Sequence, residues 1–176
     1  MARYRSFLSL RRLIMALLVV AWLPTSISTL AAAETASPPP PLGVGEPFPS
    51  WELEDQFKKT HQLPGAAKLI VFSRSKAADD ELSALLGELA GPALRAGELI
   101  YLSDISRMPG LVTRLVALPA LRDRDYPVVL VHDKGQTERL AAEDGCYTLF
   151  RLTVEGLIEF QERACDLESL RRLLTD

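Results

Sequence analysis

The chain has 176 residues, 48% of them hydrophobic, which suits one globular domain plus processing segments. Four of its 20 basic residues (Arg3, Arg5, Arg11 and Arg12) and none of its 23 acidic ones fall within residues 1–33. The rest is an acidic body, 16 basic against 23 acidic side chains or −7, with no electrostatic footprint for nucleic acid.

In chain order, the basic start runs into an apolar stretch, Leu13 to Leu23, closed by Pro24 and followed by small residues ending in Ala31-Ala32-Ala33. Basic, apolar and small segments in that order predict a signal peptide over residues 1–33, cut near Ala33. The apolar run is short for a bilayer span, although an uncleaved anchor is the alternative reading. The pair Arg11-Arg12 leaves Sec and twin-arginine export both open. The expected location is periplasmic or secreted, with no stable membrane span after cleavage. Residues 34–45, with Ser37 followed by Pro38 to Pro41, predict an extended tether.

The folded domain is expected over 46–176. Phe48, Trp51, Leu53 and Phe57 are spaced like two short strands around Glu54-Asp55-Gln56. A buried strand at Lys68–Phe72 feeds a helix from Ala77 to Leu89 through the polar turn Ser73-Arg74-Ser75-Lys76. Gly91-Pro92 and Gly97 predict a turn before the strand Leu99–Leu102. Pro109 opens a helix with Leu111, Val112, Leu115, Val116 and Leu118 on its apolar face, ending at Pro119. A strand at Val128–Val131 precedes the turn Asp133-Lys134-Gly135. Strands Cys146–Leu152 and Leu157–Arg163 form a hairpin, and Asp166 caps a last helix with Leu167, Leu170, Leu173 and Leu174 inside.

That hairpin can be read in register. A three-residue loop Val154-Glu155-Gly156, with Gly156 at positive φ, sets Leu152 against Ile158, Arg151 against Glu159 and Phe150 against Phe160. It also sets Cys146 opposite Ala164, with Cys165 one step further. An oxidising compartment favours a bond between the two cysteines. Strict alternation opposes it, because it points their side chains to opposite faces.

The order of elements resembles the thioredoxin-like fold: α/β, a central mixed sheet flanked by helices, with an N-terminal β-hairpin extension. It is most similar to exported redoxins, thiol-disulfide interchange proteins and peroxiredoxin-like domains. Gly45-Glu46-Pro47-Phe48-Pro49, Leu53-Glu54-Asp55-Gln56, Tyr126-Pro127-Val128-Val129-Leu130 with Asp133-Lys134-Gly135, and Thr148 to Leu152 before Gly156 each resemble a family segment. Two departures matter. Where the family places W-C-x-x-C or a peroxidatic cysteine, this chain has Phe72-Ser73-Arg74-Ser75-Lys76 and no thiol. Where the family has its cis-proline, this chain has Tyr147, so a trans peptide is expected. The thiolate is the nucleophile in the family's chemistry, and a serine does not replace it.

The resemblance therefore implies an exported thioredoxin-like domain with a degenerate active site. The expected role is a binding or accessory module with an exported protein partner. Its working surface would be Ser73, Arg74, Ser75, Lys76 and Tyr147. The alternative is a thiol-disulfide oxidoreductase using Cys146, which the resemblance places beside the substrate groove, with Cys165. No cofactor and no metal are expected. Asp79, Asp80 and Glu81 at a helix start are accounted for by the helix dipole. His61 and His132 are the only histidines, each able to pair with an acid such as Asp133 or Asp104. No G-x-S-x-G elbow surrounds Ser73 or Ser75.

Overall fold

A computed structural model of the chain describes residues 39–74, 76–141 and 143–175, without the side chains of 76–80. The expected signal peptide lies outside the described residues. Among those described, no helix is long and apolar enough to cross a membrane.

The buried apolar runs become the sheet. Strands β3 (Leu69–Ser73), β4 (Leu99–Asp104) and β5 (Val128–Val131) are parallel; β6 (Tyr147–Leu152) pairs antiparallel with β3 and β7 (Ile158–Ala164) antiparallel with β6, in the order β5-β4-β3-β6-β7. Strands covered on both faces read as continuous hydrophobic runs, as all four residues of β5 do. One face of the sheet, with Val71, Tyr101, Leu130 and Leu149, packs on helix α1 (Lys76–Ala96) and on the final helix α5 (Leu167–Thr175). The other face, with Ile70, Phe72, Val129 and Phe150, is covered by Phe48 and by the hairpin β1 (Trp51–Glu54) and β2 (Thr60–Leu63). Phe48 lies edge-on to Phe150, with ring centroids 5.4 Å apart.

Of the segment expected as a tether, the described part lies against the domain. Leu42 is buried, and its N–H donates to the Arg139 carbonyl at 2.8 Å. Gly45 and Ile158 are joined by a 2.7 Å backbone bond.

Several elements differ from the sequence reading, each for a packing reason. The two N-terminal strands are not centred on Asp55: β2 begins at Thr60, and Phe57 is exposed in the turn between β1 and β2. Helix α1 does not stop at Gly91-Pro92 but continues to Ala96. Pro92 has no N–H for the preceding turn, but Leu86, Ala90 and Leu94 keep one buried face across it, and that burial outweighs the lost bond.

The helix after Pro109 also passes its expected end. It comprises α2 (Gly110–Val112), a π-helical turn (Thr113–Ala117) and α3 (Leu118–Arg122). Leu118 donates to Thr113 five residues back, so the chain widens just before Pro119, which has no donor to offer. The face expected to be internal is turned outward: Leu111, Val112, Leu115 and Val116 are exposed. The turn at Asp133 winds into the short helix α4 (Lys134–Thr137), capped by a 2.9 Å bond from the Gly135 N–H to Asp133.

The hairpin keeps its predicted loop and the predicted Leu152/Ile158 pair, but not the two pairs beyond it. Gly156 has φ +80°, and Leu152 faces Ile158. Glu159 is then an extra residue, a β-bulge, so Arg151 faces Phe160 and Phe150 faces Gln161. The guanidinium of Arg151 sits 5.4 Å from the Phe160 ring, an attraction between a cation and a ring face that the regular register would not make.

Candidate functional site

In open α/β sheets the ligand crevice lies beyond the carboxyl ends of the parallel strands. Here those ends are Ser73, Asp104 and Val131. Asp104 ends a strand that is buried throughout, and its side chain is 1% exposed. Such a carboxylate needs full pairing. Arg74 supplies it, with Nε 3.3 Å from Asp104 Oδ2. The Thr137 hydroxyl donates to the same oxygen at 2.7 Å, and the Ser106 N–H donates to the other at 2.9 Å. Arg74 also donates to the Thr137 carbonyl at 3.1 Å, and its guanidinium lies 6.0 Å from the Phe72 ring. The knot thus ties the β3–α1 turn to the end of β4 and to α4.

Beneath it lies a buried polar layer. Ser73 Oγ is 3.2 Å from the Tyr101 hydroxyl, and Ser103 and Tyr147 are buried on the same sheet. Tyr126 donates from its hydroxyl to the Ser83 carbonyl of α1 at 2.8 Å. Ser73 and Tyr147, expected at a binding surface, therefore point into the protein, because odd-numbered positions of β3 and β6 face the helices. Arg74 is 13% exposed and turned toward Asp104. Ser75 and the side chain of Lys76 lie outside the described residues.

The two cysteines meet. The bulge at Glu159 shifts the register by one, so Tyr147 faces Ala164, and the next step along the hairpin sets Cys146 against Cys165. Both side chains then fall on one face, and they form a disulfide with α-carbons 4.0 Å apart. Cys146 is buried and Cys165 exposed.

A second polar centre holds the N-terminal hairpin. Asp55 accepts from the Phe57 N–H at 2.8 Å, the Lys59 N–H at 3.0 Å and His61 Nε2 at 2.8 Å. Burial pushes the Asp55 carboxyl up, but the bonds from His61, Lys59 and Phe57 outweigh it and hold the carboxyl below its usual value. Gln56, also buried, donates to the carbonyls of Leu121 and Tyr126 and accepts from the Val128 N–H at 2.7 Å. This pins the hairpin to the start of β5. The acid beside His61 is thus Asp55, not Asp104 or Asp133; His132 is exposed. Among the described residues no group of histidine, cysteine and acidic side chains could hold a metal ion.

The sequence reading missed the roles of Asp104, Thr137 and Gln56. The available signals were an acid at the end of a largely apolar strand and a lone Gln between two short strands. Neither signal names its partner, which lies 30 or more residues away.

No protein-family model and no curated protein matches the chain. Solved structures do. A protein named as a thiol:disulfide interchange protein of the DsbE type from Chlorobium tepidum is similar over 76% of this chain and 94% of its own, with 12% identity and a TM-score of 0.54. A peroxiredoxin-like protein from Aquifex aeolicus shares 12% identity over 78% of this chain and 89% of its own, with a TM-score of 0.53. The thioredoxin domain of a thiol-disulfide oxidoreductase from Bacteroides vulgatus shares 15% identity over 76% and 99%, with a TM-score of 0.51. At such identities the likeness is one of fold, and the fold is thioredoxin-like: a five-stranded mixed sheet flanked by helices with an N-terminal hairpin.

Proposed function

We propose that this thioredoxin-like domain works after export as a binding or accessory module for an exported protein, without dithiol catalysis. The observation that carries the reading is what stands at the head of α1. The turn after β3 is held by the Arg74–Asp104–Thr137 knot, and the chain has no cysteine there. Its two cysteines are 19 residues apart and join the hairpin ends, which is the arrangement of a structural staple. Export is supported by the basic, apolar and small segments of residues 1–33 and by the disulfide, which persists in oxidising compartments.

A second reading has one observation in its favour. Cys165 is exposed and Cys146 buried, so an incoming thiolate could attack the Cys165 sulfur, form a mixed disulfide and release Cys146 as the leaving thiolate. Insulin reduction by the wild type and by Cys146→Ser separates the two. The module reading expects no turnover in either, together with recovery of one exported protein by chemical crosslinking of exported material. Turnover that vanishes with Cys146→Ser would establish the oxidoreductase instead.

A further inference from the structure

The helix that follows β4 is apolar on two sides. Ala117 and Leu121 are buried, and Met108 and Leu118 pack against the core. On the outer side Leu111 is 71% and Leu115 67% exposed, with Val112 at 39% and Val116 at 47%. The spacings 111/115 and 112/116 lay these four in two adjacent rows, so they form one patch. A surface helix normally presents polar residues outward; an apolar outer face calls for a second apolar medium.

Two further observations select that medium. The patch is a ridge: leucines two-thirds exposed stand proud of the surface. A folded protein must offer a matching groove to receive a ridge, whereas the acyl boundary of a bilayer moulds around one. The ridge is also cationic at its flanks. The 18 residues from Ile105 to Arg122 hold Arg107, Arg114 and Arg122 and no acid, on a body that is otherwise acidic. Arg107 and Arg114 are exposed. Asp123 ends the basic stretch, and Asp125 beyond it is paired with Arg95 at 3.0 Å. We propose that this ridge is a peripheral docking site for an anionic lipid bilayer surface, with the four aliphatic side chains entering the headgroup boundary and the arginines meeting lipid phosphates. The acidic remainder of the domain is repelled by the same surface, which leaves the ridge as the side that meets it. The inference stands apart from the protein-partner reading and does not depend on it.

The test compares two positions of the full chain. Leu115→Trp reports on the ridge, and Val154→Trp, at a fully exposed position between β6 and β7, is the control. Each is mixed with vesicles of phosphatidylglycerol and phosphatidylethanolamine carrying brominated acyl chains, which quench tryptophan on contact. The expected result is quenching at 115 about twofold or more above that at 154. Phosphatidylcholine vesicles, or Arg107→Glu with Arg114→Glu, should remove the difference. Trp22 and Trp51 give both chains the same background, and an N-terminal segment that enters lipid affects both alike. Equal quenching at the two positions, or none at either, overturns the proposal. So does a photocrosslinking residue at 115 that, in exported material, joins a protein and no lipid.

Discussion

Cys146 and Cys165 face one another across β6 and β7 because Glu159 is one residue more than a regular hairpin holds. Without the bulge, alternation would place the two sulfurs on opposite faces of the sheet. With it, the side chains from Phe160 onward change their partners by one position and the sulfurs meet. The bond closes the hairpin at its open end, opposite the Gly156 loop, so both ends of the β6–β7 pair are constrained.

The disulfide should act as a staple. Exported protein, denatured without reductant, is expected to show no free thiols, and two after reduction. Cys146→Ser with Cys165→Ser should lower unfolding stability by about 3 kcal/mol, the loop-closure effect of a span of this length, read by urea denaturation. Two free thiols in the unreduced material would remove the staple from the account.

Arg74 should be required for stability. Arg74→Ala leaves Asp104 buried with only the Thr137 hydroxyl and the Ser106 N–H for company. Breaking a buried ion pair from one side is expected to cost about 3 kcal/mol. Arg74→Lys keeps the charge but cannot reach Asp104 and the Thr137 carbonyl as a planar fork does, so it should recover only part of the loss. Equilibrium denaturation of both variants measures this. A fully stable Arg74→Ala protein would show that the knot contributes nothing.

Asp55 should make stability depend on acid. Its carboxyl is held below the unfolded value of about 3.9, despite burial, by bonds from His61, Lys59 and Phe57. A depressed folded value means the stabilisation is complete above the unfolded value and is lost as pH falls through the folded one. Asp55→Asn should therefore be less stable than wild type at pH 6, and the gap should close toward pH 2. Melting temperatures across that range read the convergence. Glu46, Glu155 and Asp166 are also lowered, so the variant should retain some acid sensitivity of its own.

Gly156 should resist substitution twice over. At φ +80° a β-branched residue is strained, by about 1–2 kcal/mol. A Cβ at this position would also lie 2.9 Å from Pro64 Cγ, so the β2–β3 connection must shift to admit it. Gly156→Val is expected to melt lower than Gly156→Asn, which tolerates the left-handed backbone but still meets Pro64. Equal melting temperatures for the two would show that the backbone term is negligible.

What the sequence determined by itself is local. Continuous apolar runs marked β3, β4 and β5. Leucines at helical spacing marked α1 and α5, and Asp166 marked the cap of α5, where the Ser169 N–H donates to it at 2.7 Å. The loop at Gly156 was legible because only glycine adopts that backbone freely. The tertiary structure decided the rest, because those outcomes depend on energies between residues far apart in the chain. Burial of Ala90 and Leu94 carried α1 past Pro92. The bulge at Glu159, one residue in a strand with no glycine, set the partners of Phe150 and brought the cysteines together. Arg74 read as a surface residue because the acid that turns it inward, Asp104, is 30 positions away. Leu111 and Leu115 read as core because periodicity reports that a helix has an apolar face, not which of its two sides the sheet will cover.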